Sequence, residues 1–222
     1  QHSPIWERTT DFVIKLLDKL KPEEMVLRMS KLSTVQVANF IRFITLPIPL
    51  LKFINLNIGK DHTISLYCVK VLVKMLQMLK RYMRFLEFDD TQQIVELKNK
   101  LEYFVPKHLP TPSAVVSLIQ NVINGKNNNE PSQDYKLPDI NNTDALISLV
   151  DLLLLYNDVH PAFFDTLEGS IDMKKLLDYS ATLSKGHISV LKFKIVSLWL
   201  TLDSSAISLK NPMFKNLFLI ML

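Results

Sequence analysis

The chain has 222 residues and a mass of 25.6 kDa, is 48% apolar, and carries a formal net charge of +4, with four glycines against eleven prolines. That length and apolar content support a large buried core and exclude a disordered chain. Four glycines are too few to supply the phosphate-cradling loops and dinucleotide turns that depend on this residue, while the prolines fall mostly at the edges of apolar-periodic segments, where helices start and stop.

The first helix is expected over Thr10–Leu20, where Phe12, Val13, Leu16, Leu17 and Leu20 form one apolar stripe. Pro22 opens a second, with Glu23 and Glu24 near its positive dipole end. Ser33 caps a third, Thr34–Leu46, which stops at Pro47. A short fourth, Pro49–Leu56, stops at Gly59. Asp61 caps the longest helix, His62–Phe88, and Asp90 with Gln93 forms a capping box for the next, which runs to Val105. Thr111 and Pro112 start another that ends at Asn124 and Gly125.

Lys126–Thr143 is polar and asparagine-rich and reads as a long surface loop. Beyond it come helical patterns over Asp144–Tyr156, Pro161–Leu167, Ile171–Leu183 and His187–Leu202, and Asn211 and Pro212 open a last one. No segment alternates with period two between turn signals, so no sheet is expected.

The expectation is therefore an all-α chain. Helices mostly of one to four turns with short connections suit an irregular helical-repeat solenoid of the HEAT or armadillo kind better than a closed bundle. It divides into residues 1–125, which carry the long basic helix, the 126–143 loop, and further repeats over 144–222. The chain opens at Gln1 without methionine and stops inside an apolar pattern, Met213–Leu222, so it is expected to be a segment of a longer protein.

The longest apolar run, Ala145–Tyr156, is too short to span a bilayer and is interrupted by Asp151; no membrane association is expected. No leader pattern opens the chain, and the single cysteine, Cys68, fits a reducing intracellular compartment, where it reads as a small buried hydrophobe. His2, His62, His108, His160 and His187 are scattered and form no metal-ligand spacing. No serine lies in a nucleophile-elbow motif, and no phosphate loop is present. The expected protein is not an enzyme and has no catalytic residues, metal, cofactor or small-molecule substrate.

One constellation points to a partner. Lys70, Lys74, Arg81 and Arg84, with Gln77 between them, follow i+4, i+3, i+4 and i+3 steps and so share one face of the long helix. No acidic residue lies between Asp61 and Glu87, and Lys80 adds to the positive charge. Such a ridge suits RNA phosphates or an acidic partner; the alternative reading is a solvated face with cations near the helix C-terminus. Charge is uneven in the same sense, with 18 basic against 12 acidic side chains in residues 1–131 and 8 against 10 in residues 132–222. Aspartates at 144, 151, 158, 165 and 172 recur every seven residues and read as solvated faces and caps, because Pro161 keeps one helix from carrying them all.

With these segments placed, KLSTVQVANFIRFITLPIPLLKFINLNIGKDHTISLYCVKVLVKMLQMLKR (Lys31–Arg81) resembles part of the nucleolar pre-ribosome-associated scaffold family, the large Urb/Npa assembly factors. FVPKHLPTPSAVVSLIQ and LPDINNTDALISLVDLLLLYNDVHP are similar to the segments that follow there, and together these stretches cover about half of the chain. The resemblance implies a very large helical-repeat protein of early large-subunit ribosome assembly. It would be a nucleolar scaffold contacting pre-ribosomal RNA and other assembly proteins. The family supplies no motif-defined functional residues, so the candidate RNA-binding residues stay Lys70, Lys74, Arg81 and Arg84. The alternative is a protein-binding adaptor that takes a peptide or partner helix and has no RNA role.

Overall fold

The computed structural model describes residues 4–21, 33–86, 92–124, 142–164, 167, 170–183 and 187–202. Among them there is no strand, and ten α-helices follow in order. They are α1 Pro4–Lys19, α2 Thr34–Thr45, α3 Ile48–Asn57, α4 His62–Leu86, α5 Gln92–His108, α6 Pro112–Ile123, α7 Asn142–Val159, α8 Pro161–Phe164, α9 Met173–Thr182 and α10 Ile188–Leu202. The helix expected at Pro22, the Asp90 cap, residues 126–141 of the expected loop and the helix expected at Asn211 lie outside the described residues.

The helix starts follow local chemistry. Ser33 and Gln36 form a full capping box on α2: the Gln36 N–H donates to the Ser33 hydroxyl and the Gln36 side chain accepts from the Ser33 N–H at 2.9 Å. The Asp61 carboxylate accepts from the Ile64 N–H at 2.9 Å and opens α4. Thr111 caps α6 over Pro112, and Asp172 caps α9 by accepting from the Lys175 N–H. The turn between α3 and α4 requires Gly59, whose φ of +86° lies in the left-handed region that side chains disfavour. Its N–H donates to the fully buried Ser65 hydroxyl at 2.9 Å, which ties the turn to the helix that follows.

Several boundaries differ from expectation, the end of α7 among them, at Val159 rather than Tyr156. α1 begins at Pro4 rather than Thr10, using the proline as a helix start with Glu7 in the first turn. α5 continues through Pro106 to His108 instead of stopping at Val105. The proline removes one backbone donor in the last turn, and the end is closed by the Leu109 N–H on the Val105 carbonyl at 3.1 Å and by the Asn55 side-chain amide on the His108 carbonyl at 2.7 Å. α7 begins at Asn142 rather than Asp144, with Thr143 fully buried.

Two helices organise the core. α4 has 25 residues, about 37 Å at 1.5 Å per residue, and packs against α1, α2, α3, α5 and α7. Val69, Leu72, Met75, Leu76, Leu79 and Tyr82 are completely covered, and only a narrow stripe stays open to solvent. α7 packs against α4, α6, α8 and α10. It is apolar nearly all round, with Leu146, Leu149, Val150, Leu152, Leu153 and Tyr156 fully buried, as a helix must be when neighbours surround it. Each buried leucine or valine contributes about 1.5–3 kcal/mol relative to exposure.

Among the described residues the main contacts link the helices in series. α1 packs on α4, α4 on α7 and α7 on α10, and α2 packs on α5. The first four form a layer, with α6 against α7 and α9 against α10. No single described helix is long and apolar enough to cross a membrane; α2 and α3 reach that composition only together, across a 41° bend.

Candidate functional site

The four cations singled out from sequence do share the open stripe of α4, but they are not equivalent. Arg81 and Arg84 are exposed and make no ion pair among the described residues. Lys70 is half-buried, with its ammonium 5.7 Å from the centroid of the Tyr67 ring one turn earlier. Burial raises the Tyr67 phenol pKa, and the nearby Glu7 and Asp11 of α1 raise it further. Lys74 is bound to Asp18 of α1 at 3.1 Å. Lys80 is bound to Asp158 of α7.

The lack of acids on α4 itself does not leave the whole stripe unneutralised. α4 contributes no acid of its own here, but the helices on either side do. A third pair, Lys194 of α10 with Asp151 of α7, completes a row of lysine–aspartate bridges that crosses the layer from α1 to α10. Asp151 and Asp158 are two of the aspartates spaced by seven residues, and that spacing, which puts them on one face of α7, is the signal that marked them. Their role is to bridge α7 to α4 and to α10 rather than to solvate a free face. Asp172 is a helix cap, as expected.

The structure also assembles a second feature that sequence reasoning missed. α2 and α5 flank an open groove of about 730 Å³. Ala38, Leu101 and Phe104 give it an apolar floor. Phe104 is only 7% exposed; the Arg42 guanidinium lies 5.0 Å from its ring centroid and the His108 ring stacks on it with centroids 4.1 Å apart. On the α5 wall, Tyr103 is 67% exposed and hydrogen-bonded to Lys107, whose ammonium lies 3.7 Å from the ring centroid. That hydrogen bond and the ammonium charge lower the Tyr103 phenol pKa. Farther along the wall, Lys100 pairs with Glu96 one turn before it. The sequence signal was the step Tyr103, Lys107 on the same helix face as Glu96 and Lys100; Arg42 comes from a helix some sixty residues earlier.

The other residues considered for chemistry do not converge. Cys68 is buried in α4, and burial pushes its thiol up to about 11. At pH 8 about one molecule in a thousand would carry the thiolate. Native protein at pH 8 is expected to leave Cys68 unmodified by a thiol-specific chromogenic disulfide, with one equivalent released only in denaturant; stoichiometric labelling of the folded protein would contradict this burial. His62 sits at the start of α4, where burial lowers its pKa against the opposing charge of Asp61. His108 is the ring stacked on Phe104. Among the described residues no three His, Cys, Asp or Glu side chains group as metal ligands.

No family model, curated protein or solved structure matches the chain.

Proposed function

We propose that this chain is a non-catalytic helical-repeat scaffold of large-subunit ribosome assembly, holding pre-ribosomal RNA and other assembly proteins on its surfaces in the nucleolus. The observation that carries the scaffold reading is the chain of contacts α1–α4–α7–α10, in which each helix packs on the next and α7 is buried nearly all round. A helical-repeat array is built in this way, each unit burying its apolar face against its neighbours and leaving an extended surface for partners. The ribosomal setting comes from the resemblance of Lys31–Arg81 and the two later stretches to the Urb/Npa scaffolds.

On this reading RNA lies along the stripe of α4. Lys70 and Arg84 are about 21 Å apart on the helix axis, with Lys74 and Arg81 between them. Replacing all four with glutamate is expected to lower affinity for a fluorescent single-stranded RNA at least about tenfold and to flatten its dependence on salt, as measured by anisotropy across a KCl series. Unchanged binding in a variant with native circular dichroism would remove the RNA assignment.

A second reading, a protein-binding adaptor without an RNA role, is favoured by the groove between α2 and α5, which is apolar at its floor and positively charged on its walls. Partner retention after nuclease treatment separates the two: partners that persist without RNA favour the adaptor.

A further inference from the structure

We propose that the groove between α2 and α5 docks an acidic peptide segment of a partner protein, anchored by apolar side chains. The inference gives the adaptor reading a partner chemistry and does not depend on RNA contact by α4. The groove's volume of about 730 Å³ is enough for several side chains, and the exposed Val35 with the half-buried Ile48 offers them apolar contact above the buried Ala38, Leu101 and Phe104. Above that floor the charge is one-sided. Among the described residues Glu96 is the only acid in the lining and is already paired with Lys100, so that Arg42 and Lys107 face no described acid in the groove that balances them.

The two cations are held in place. Arg42 rests on the Phe104 ring, and Lys107 is hydrogen-bonded to Tyr103. Cations fixed before binding lose little side-chain freedom when a carboxylate arrives, and Arg42 can meet it with two parallel N–H donors. Charge complementarity thus selects aspartate and glutamate, and the apolar contact selects leucine, isoleucine, phenylalanine or methionine beside them. This combination joins apolar anchoring to the recognition of an acidic motif by fixed cations.

The aromatic side chains argue against single-stranded RNA here. Stacking a base needs an open ring face. Phe104 is covered by Arg42 and His108, so only Tyr103 offers an exposed ring. An RNA strand would gain phosphate contacts with two cations and little stacking, while the apolar Val35 and Ile48 would go unused.

The test is a selection of random peptides displayed on phage against the whole chain, run beside a selection from a random single-stranded RNA pool. Enriched peptides are expected to combine Asp or Glu with large apolar residues. A synthetic peptide from that set should bind at least about tenfold more weakly to Asn39→Trp, which fills the groove from an exposed position, and to Lys107→Glu, also exposed. Arg81→Glu with Arg84→Glu, on α4, should leave that affinity unchanged. The proposal is overturned if no acidic, apolar consensus emerges, if Asn39→Trp binds the peptide as the parent does, or if RNA is retained by the parent and released by Asn39→Trp. Circular dichroism of each variant, and the retained affinity of the α4 variant, separate loss of the site from loss of the fold.

Discussion

Tyr156→Ala is expected to lower the stability of the folded chain by about 3–5 kcal/mol, the range for removing a large aromatic side chain from a packed core. Tyr156 is fully buried on α7, the helix that joins α4 to α6 and α10. Its hydroxyl donates to the Pro110 carbonyl at 2.9 Å, across the start of α6, and burial raises its phenol pKa far above the ordinary value, so it stays a neutral donor at any working pH. Tyr156→Phe keeps the ring and loses this hydrogen bond, leaving a buried carbonyl without its donor, and should cost about 1–3 kcal/mol. For a chain of this length the alanine variant corresponds to a fall in Tm of roughly 6–20 °C. Urea unfolding followed by circular dichroism measures both. A phenylalanine variant as damaging as the alanine one would mean that the hydroxyl, not the ring, holds α7 to α6. Two wild-type stabilities within error would show that α7 is not the junction described.

The second large effect divides the four cations of α4. Reversing Arg81 and Arg84 together should lower RNA affinity at least about tenfold, because both are exposed and bound to no acid among the described residues. Losing two phosphate contacts of a single strand should also flatten the slope of log affinity against log salt by about 1.4. Lys74→Met should behave differently. Its ammonium is already committed to Asp18, so the variant should change RNA affinity by less than about threefold and instead cost about 0.2–1 kcal/mol of stability, the range for a solvent-exposed pair. Anisotropy with RNA and urea unfolding on the same two proteins give the comparison. If Lys74→Met weakens RNA binding as much as the double arginine variant, RNA displaces Asp18 on binding and the arginines are not the dominant contacts.

The helices themselves were legible because their signals are local. Ser33 caps α2, Asp61 caps α4, Thr111 caps α6 and Asp172 caps α9 through side chains that reach only three residues ahead. Where a tertiary contact completes an end, local reading fell short. Pro106 is a stop signal in sequence, yet α5 continues past it because Asn55, from α3, takes up the exposed His108 carbonyl. Asn142 and Thr143 read as loop from their composition, yet they begin α7, where Thr143 is buried and the Asn142 amide donates to the Tyr179 hydroxyl of α9 at 3.2 Å.

The candidate site shows the same division more sharply. Spacing on one helix put Lys70, Lys74, Arg81 and Arg84 on one face, since a helix has a fixed 100° step. It could not show that Asp18, 56 residues away, and Asp158, 78 residues beyond Lys80, neutralise part of that face. The groove is likewise a product of two helices distant in sequence, Arg42 on α2 and Phe104 on α5.

By itself, then, the sequence determined an all-α chain, most of its helix boundaries and caps, and the alignment of cations along α4, because each depends on residues within one or two turns of one another. Only the tertiary structure decided which of those cations are paired with acids of neighbouring helices, which aspartates bridge the layer, and that α2 and α5 flank a charged, partly apolar groove. Those properties arise from side chains of separate helices brought within a few ångströms, and ion pairing and burial fall off over that distance whatever the separation along the chain.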